Sequence, residues 1–365
     1  MIRALLRRLN AGPLPPPQAT RRRDFWLSLV AVAVMAVGLR LLETGLSAYW
    51  VQMICLAGLN VVLAVSYNLI NGVTGQFSLS PNAFMACGAY VTALLTLSPA
   101  EKSLSFILEP LVWPLSVISL PLPMALMIAG LVTALLGFVM GFPVFRVRDD
   151  YLAIVTLGFG EVIRVVANNA QSVTNGPLGL KGITHLTTVW WAWGLCLAAA
   201  FVVTRLIRSS YGLALKAIRE DEVAAETMGI DIFWHKMLAF MVSAFFQGVA
   251  GGLLAHLITT ISPNLFTFFL TFNLLIMIVV GGLGSTTGAV LAAVLVTFGG
   301  EWLRVVEEPL SLFGYEIPGI AGMRMVVFSL ILVGFMIFMR RGLLGRNEFT
   351  WRWLTALAGR RSENK

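Results

Sequence analysis

Charge is scarce in this 365-residue chain: Asp, Glu, Lys and Arg together make up 12% of it, about half the share of an ordinary soluble domain. So few ions cannot cover the surface of a freely soluble body of this size, and a soluble fold is excluded. Cysteine is scarce as well. Cys55, Cys87 and Cys196 all sit inside apolar runs, and an odd number of embedded thiols argues against a disulfide framework. The three histidines and three cysteines are too scattered for a zinc site. No G-x-x-x-x-G-K-[ST] phosphate loop occurs, and no nucleophile–base pair or metal set stands out to suggest a membrane-embedded enzyme.

What is present is grease. Apolar residues make up 58% of the chain and mean hydropathy is +0.84. Several runs approach the ~20 residues that cross ~30 Å of hydrocarbon. These runs are continuous, not alternating, which excludes a transmembrane β-barrel. The sequence therefore describes an all-α polytopic membrane protein. About ten spans are expected, near 25–42, 49–69, 82–97, 121–145, 151–169, 187–207, 236–257, 265–281, 288–306 and 322–340. Three regions follow: a basic, Pro-rich tail at 1–24, a membrane domain at 25–340 containing a polar loop at 208–235, and a basic tail at 341–365. The run from Phe25 has no persuasive cleavage site and reads as a retained anchor.

The pI near 9.8 reflects topology more simply than nucleic-acid binding, because membrane proteins gather Lys and Arg on the cytoplasmic side. With the N-terminus inside, the 26 basic residues divide twenty to six. The inner set is six in the N-terminal tail, Arg146 and Arg148, five from Arg205 to Lys236, and seven from Arg340 onward. The outer set is Arg40, Lys102, Arg164, Lys181, Arg304 and Arg324. Both termini are expected in the cytoplasm.

Some polar features fall where lipid should be. Residues 82–97 would reach only about 24 Å as a helix, and NGVTGQFSLSP at 71–81 precedes them. Glycines and a proline there break a helix; they mark either a broken helix beside a transport pathway or a plain cytoplasmic turn. Glu161 lies mid-span with Arg164 three residues on, on the same face. Such charges usually turn to the bundle interior. The pair either neutralises itself or takes part in a path or gate, for which Asn68 and Gln76 are further candidates. The loop NNAQSVTNGPLGLKGI at 168–183 reads as an external vestibule or an ordinary loop, and the Pro-interrupted segment 104–120 as an outer or re-entrant piece. Gly248, Gly251, Gly252 and GGLGSTTG at 281–288 suit close helix packing, with a moving gate as the sharper alternative.

The polar interval from Arg205 to Lys236 is the strongest clue. Leu213, Ala217 and Ala224 fall near helical spacing, and charges crowd Arg219, Glu220, Asp221 and Glu222. Ala224 and Ala225 then precede Gly229. A helix with a small-residue face, ended by glycine, suits docking into a protein groove.

Ala224, Ala225 and Gly229 resemble the AAxxxG core of the coupling loop in ABC importer permeases. The preceding Val223, and a glutamate one position early at Glu222, depart from that pattern toward the LivM-type branched-chain amino-acid permeases, whose AIREDE and AAxxMGI blocks recur here. YNLINGVTGQFSLS (67–80), FRVRDDYLAIVTLGFGEVIRVV (145–166), NGPLGLKGI (175–183) and VVGGLGSTTGAVLAA (279–293) resemble the same family in the same order. The resemblance implies an ABC importer permease fold in the bacterial plasma (inner) membrane, and a membrane subunit rather than an enzyme. The implied partners are a second homologous permease, two ATP-binding subunits that hydrolyse ATP on separate chains, an extracytoplasmic solute-binding protein and the surrounding lipid. No nucleic-acid partner and no cofactor on this chain are expected. Leucine, isoleucine and valine are the implied cargo, with urea, amides or another small organic solute as alternatives. An ion-coupled secondary transporter is the rival class.

Overall fold

A computed structural model of the chain describes residues 18–106, 109–146, 151–303, 310–312, 315–317, 323–339, 342–345 and 348. Most of both basic tails, and Arg148, Arg304 and Arg340 from the charge count, lie outside them.

Two compact units divide the chain. The first comprises residues 1–51 and 347–365, and the second runs from Gln52 to Arg346. In the first, α1 (Gln18–Gly45) presents Leu29, Val30, Val34 and Val37 on an exposed apolar surface, as a helix immersed in lipid does.

The second unit is built around two buried helices. α2 (Ala48–Asn68), whose first residues belong to the other unit, continues as a π-helical turn, Leu69–Val73. Farther along the chain comes α11 (Ile232–Ile258). Between them lie α3 (Pro81–Thr96), α4 (Pro99–Ser105), α5 (Leu122–Val144), α6 (Leu152–Asn169), a single turn α7 (Gln171–Thr174), α8 (Val189–Ile207), α9 (Ser210–Glu220) and α10 (Glu222–Thr227). After α11 follow α12 (Phe268–Gly281), α13 (Thr286–Trp302) and α14 (Met323–Phe338). Among the described residues, seven helical stretches are long and apolar enough to cross a membrane. α3, α13 and α14 are shorter, at 16, 17 and 16 residues. The fold is all-α and polytopic. The strands are minor: β1 (Leu180–Lys181) pairs antiparallel with β2 (Thr260–Ile261), and β3 (Leu310–Leu312) with β4 (Tyr315–Ile317).

Glycine sets the tightest contacts. α11 packs most extensively on α3 and α5. A Cβ at Gly88 of α3 would land on the backbone of Gly248, one at Gly251 on the backbone of Met85, and one at Gly252 on Thr92. With little hydrophobic drive between helices in lipid, such close backbone approach holds the bundle together. The packing reading of Gly248, Gly251 and Gly252 is the one the geometry supports. Enclosure also accounts for the short α3: thirteen of its sixteen residues are buried, so its neighbours, not its length, satisfy the bilayer.

Helix starts follow capping side chains rather than hydropathy. α11 begins four residues before the expected 236 because the Asp231 carboxylate accepts the Trp234 N–H at 3.1 Å. α13 begins at 286 because the Ser285 hydroxyl accepts the Gly288 N–H at 3.0 Å. The described residues of the 104–120 segment form no spanning helix. After α4, residues 109–120 run irregularly, and the buried Lys102 ammonium donates to the carbonyls of Leu115 and Ile118. Withdrawal from water lowers the Lys102 pKa from the ordinary lysine value.

Candidate functional site

The polar interval folds as two short helices, α9 and α10, where the spacing suggested one. Asp221 makes the break. It leaves helical geometry (φ −159°, ψ 110°), and its carboxylate accepts the Ala224 N–H at 3.0 Å, capping α10. At the other end Gly229, at φ +82°, closes α10 in a Schellman turn. Its N–H donates to Glu226 O at 2.9 Å, and the Ile230 N–H reaches back to Ala225 O at 3.2 Å. The AAxxxG glycine is therefore a backbone requirement: it supplies the left-handed residue that ends the helix.

The motif residues divide into two faces. Leu213, Ala217, Glu220, Asp221, Ala224 and Gly229 are exposed, joined by Val223 and Met228. Ala225 is buried. Glu222 is ion-paired with the buried Lys236 of α11. Arg219 also turns inward. Its Nη1 donates to the Gly72 carbonyl at 2.9 Å, while Nη2 meets the Glu220 carboxylate at 2.8 Å. The loop thus presents an outer surface of small and apolar groups with Glu220 and Asp221, and an inner surface of charged braces. α9 rests on the π-helical turn and on α8 and α11.

The broken segment after that turn is not a solvated turn. Residues 74–80 are non-helical, yet Thr74, Gln76, Ser78 and Ser80 are all buried, while Gly75 and Phe77 are exposed. Buried irregular backbone needs partners for its N–H and C=O groups, and at Ser78 and Leu79 neighbouring side chains supply them. Ser78 O accepts from the Tyr67 hydroxyl at 2.6 Å. Asn71 holds Ser78 through both its amide atoms, and the Leu79 N–H donates to Thr156 Oγ1 at 2.9 Å. Asn68 is part of the same junction, its Oδ1 accepting the Gly284 N–H at 2.9 Å. Both amide atoms of Gln76, buried at 3% exposure, have no hydrogen-bond partner among the described residues; buried carboxamides of this kind ordinarily meet water or a ligand.

Glu161 and Arg164 stand apart from this centre. They pair with each other, Arg164 Nη2 and Nε reaching Glu161 Oε2 at 2.7 and 2.8 Å, with side chains 34% and 36% exposed. The pair is half-open on α6, not enclosed in the core. The 168–183 loop is ordered by α7, a 3₁₀ turn at Gly176–Leu178 and the β1–β2 pairing. It borders a cavity of about 400 Å³ whose lining includes Glu101, Asn175 and Lys181. In the 281–288 stretch Gly282 and Gly284 take positive φ values of +106° and +89°, so those glycines make the turn between α12 and α13.

Sequence reasoning overlooked two sites. Asn60 donates to Thr297 Oγ1 at 2.9 Å beside a cavity of about 560 Å³ that also reaches Asn273 and Glu301. The signal was present in lone polar residues within apolar runs. The Lys236–Glu222 pair left no such trace, since its partners are fourteen positions apart on different helices.

A sequence profile described as the permease component of the branched-chain amino acid transport system matches residues 49–340. The chain belongs to that permease family. It is 33% identical over 316 residues to the high-affinity branched-chain amino acid transport system permease protein LivM of Escherichia coli K12, covering 77% of this chain and 69% of the relative. The LivM protein of Salmonella typhimurium LT2 is 35% identical over 282 residues, covering 68% and 62%. The probable LivM permease of Methanocaldococcus jannaschii is 26% identical over 229 residues, covering 58% and 63%. The chain therefore spans about two thirds of the length of these relatives. No solved structure matches it. With its apolar helices, this permease is a multi-pass protein of the bacterial inner membrane.

Proposed function

We propose that this permease is one of two related membrane subunits in an ATP-driven, binding-protein-dependent importer of leucine, isoleucine and valine, working by alternating access. Two ATPase subunits would meet the 208–235 loop from the cytoplasm, and a solute-binding protein would dock on the outer loops. Both termini would lie in the cytoplasm, with the three shorter helices completing ten crossings. ATP would be consumed on the partner chains. The translocation path would run along the interface with the second permease, with selectivity residing largely in the binding protein.

One observation carries this reading: the polar loop exposes Leu213, Val223 and Met228 among small residues, while Arg219 and Glu222 fix it to the membrane domain. A loop built only to be solvated has no need of an apolar outer face, and a loop braced from within can carry a push. Membership of the family supports the same reading, as do the branched-chain amino acid names of the relatives.

Purification from the native membrane, followed by identification of co-purifying chains, tests it. An ATPase in the complex, together with ATP-dependent leucine uptake in proteoliposomes, is the expected result. Autonomous, proton-linked uptake by the chain alone would overturn it in favour of a secondary transporter.

A further inference from the structure

Three glycines from two separate breaks surround one arginine of the cytoplasmic loop. Gly75, at φ +76°, lies so near the aliphatic stem of Arg219 that a Cβ there would fall 2.5 Å from Cγ and 3.3 Å from Cδ. The Gly72 carbonyl accepts from Arg219 Nη1 at 2.9 Å. A Cβ on Gly284, at φ +89°, would sit 3.1 Å from both Nη1 and the Gly72 carbonyl oxygen. Asn68 closes the arrangement by accepting the Gly284 N–H at 2.9 Å. The guanidinium head is thus held where the π-helical turn, the unwound segment 74–80 and the α12–α13 turn converge, and its Nε is buried without a hydrogen-bond partner among the described residues. Arg219 itself is the second-last residue of α9.

We propose that Arg219 is a positioning residue that carries movement of the cytoplasmic loop into the unwound segment holding Gln76, and so into the path of the cargo. The proposal rests on the importer reading, in which ATPase closure displaces α9 and α10. The arginine is suited to the task for two reasons. Its planar head is charged at every working pH and fixes direction as well as distance. Its target is a carbonyl in a π-helical turn, a weak point in the ladder that can shift without unwinding the rest of α2. A loop that moved without this side chain would slide over Gly75, because glycine offers nothing else to push against.

The test compares R219M with R219K in the intact complex, purified from its native membrane and reconstituted in proteoliposomes with its binding protein. Radiolabelled leucine uptake and ATP hydrolysis are measured together. Methionine keeps an apolar stem over Gly75 but has no donor for Gly72, whereas lysine keeps both stem and donor. In R219M, ATPase subunits should remain bound and hydrolysis should continue, while leucine carried per ATP falls roughly twofold to thirtyfold, the range for residues that transmit coupling without touching ligand. R219K, which keeps stem, charge and donor but not the planar fork, should fall between R219M and the wild type. An unchanged ratio in R219M overturns the proposal, as does a loss of bound ATPase in both variants, which would make Arg219 an assembly residue. A second measurement leaves Arg219 in place. In a background with Cys55, Cys87 and Cys196 replaced by alanine, F77C should react with a polar thiol reagent at rates that differ between the nucleotide-free and vanadate-trapped states. Equal rates would mean that the segment does not follow the loop, and would overturn the proposal as well. Failure of the wild-type chain to hold an ATPase is a different outcome, and it refutes the importer reading itself.

Discussion

Substitution at Gly229 separates two accounts of the cytoplasmic loop. At φ +82° its backbone occupies the left-handed region, and among the described residues a Cβ there would meet nothing within 4 Å beyond its chain neighbours. The cost of alanine is therefore conformational: about 1–2 kcal/mol for an L-residue in that region, or roughly a five- to thirtyfold shift between the closed and frayed ends of α10. Valine, branched at Cβ, should cost more. Asparagine tolerates left-handed geometry although its side chain is larger than that of alanine. Membrane insertion should not change, because the turn is exposed and lies outside every spanning helix. Leucine uptake in reconstituted complexes should fall in the order glycine, asparagine, alanine, valine, with equal amounts of each protein in the membrane. Full activity in G229V would refute the coupling role of the loop. Full activity in G229A together with loss in G229N would refute the backbone argument and point to the depth of a partner's groove.

Two further outcomes concern the membrane domain. E161Q leaves Arg164 without its ion-pair partner on a half-open face of α6, where an arginine near mid-bilayer costs about 2.5–3.5 kcal/mol on insertion scales; the single variant should reach the membrane at reduced level and E161Q/R164Q should recover, measured by immunoblot of membrane fractions. Recovery of level without recovery of uptake would instead place the pair in the transport path. G88V drives a side chain into the Gly248 backbone and should cost about 1–3 kcal/mol of packing, read as a lower melting temperature in detergent. G38A, at a helix position with open space around it, should not lower that temperature, since alanine favours the helix over glycine.

The helices were legible because lipid imposes one rule along the whole chain: apolar and continuous. Each of the ten expected runs coincides with a helix; the described ends fall within about four residues of the expectation except at α1, which begins at Gln18, seven residues before the expected 25. What hydropathy could not supply is the burial of the 74–80 segment. Its letters suit a solvated turn and a protein-enclosed break equally well. The difference lies in Tyr67, Asn71 and Thr156, whose hydrogen bonds to Ser78 and Leu79 become apparent only once α2, α3 and α6 are side by side.

The polar loop shows the same limit at the scale of single residues. Periodicity and charge identified the surface, but could not say which charges face a partner and which face home. Glu220, Asp221, Glu222 and Arg219 are consecutive in kind and divergent in use: one is exposed beside an arginine, one caps a helix, one pairs with a buried lysine, and one crosses to Gly72. The division follows from the break at Asp221, which rotates α10 relative to α9 so that neighbouring positions no longer share a face. A docking loop needs that break. A single straight helix would place Arg219 and Glu222, three residues apart, on one stripe, with inward braces at one end only; two short helices let each end of the loop be fastened separately to the membrane domain, at Gly72 and at Lys236, while Leu213, Val223 and Met228 stay outside for whatever seats on them.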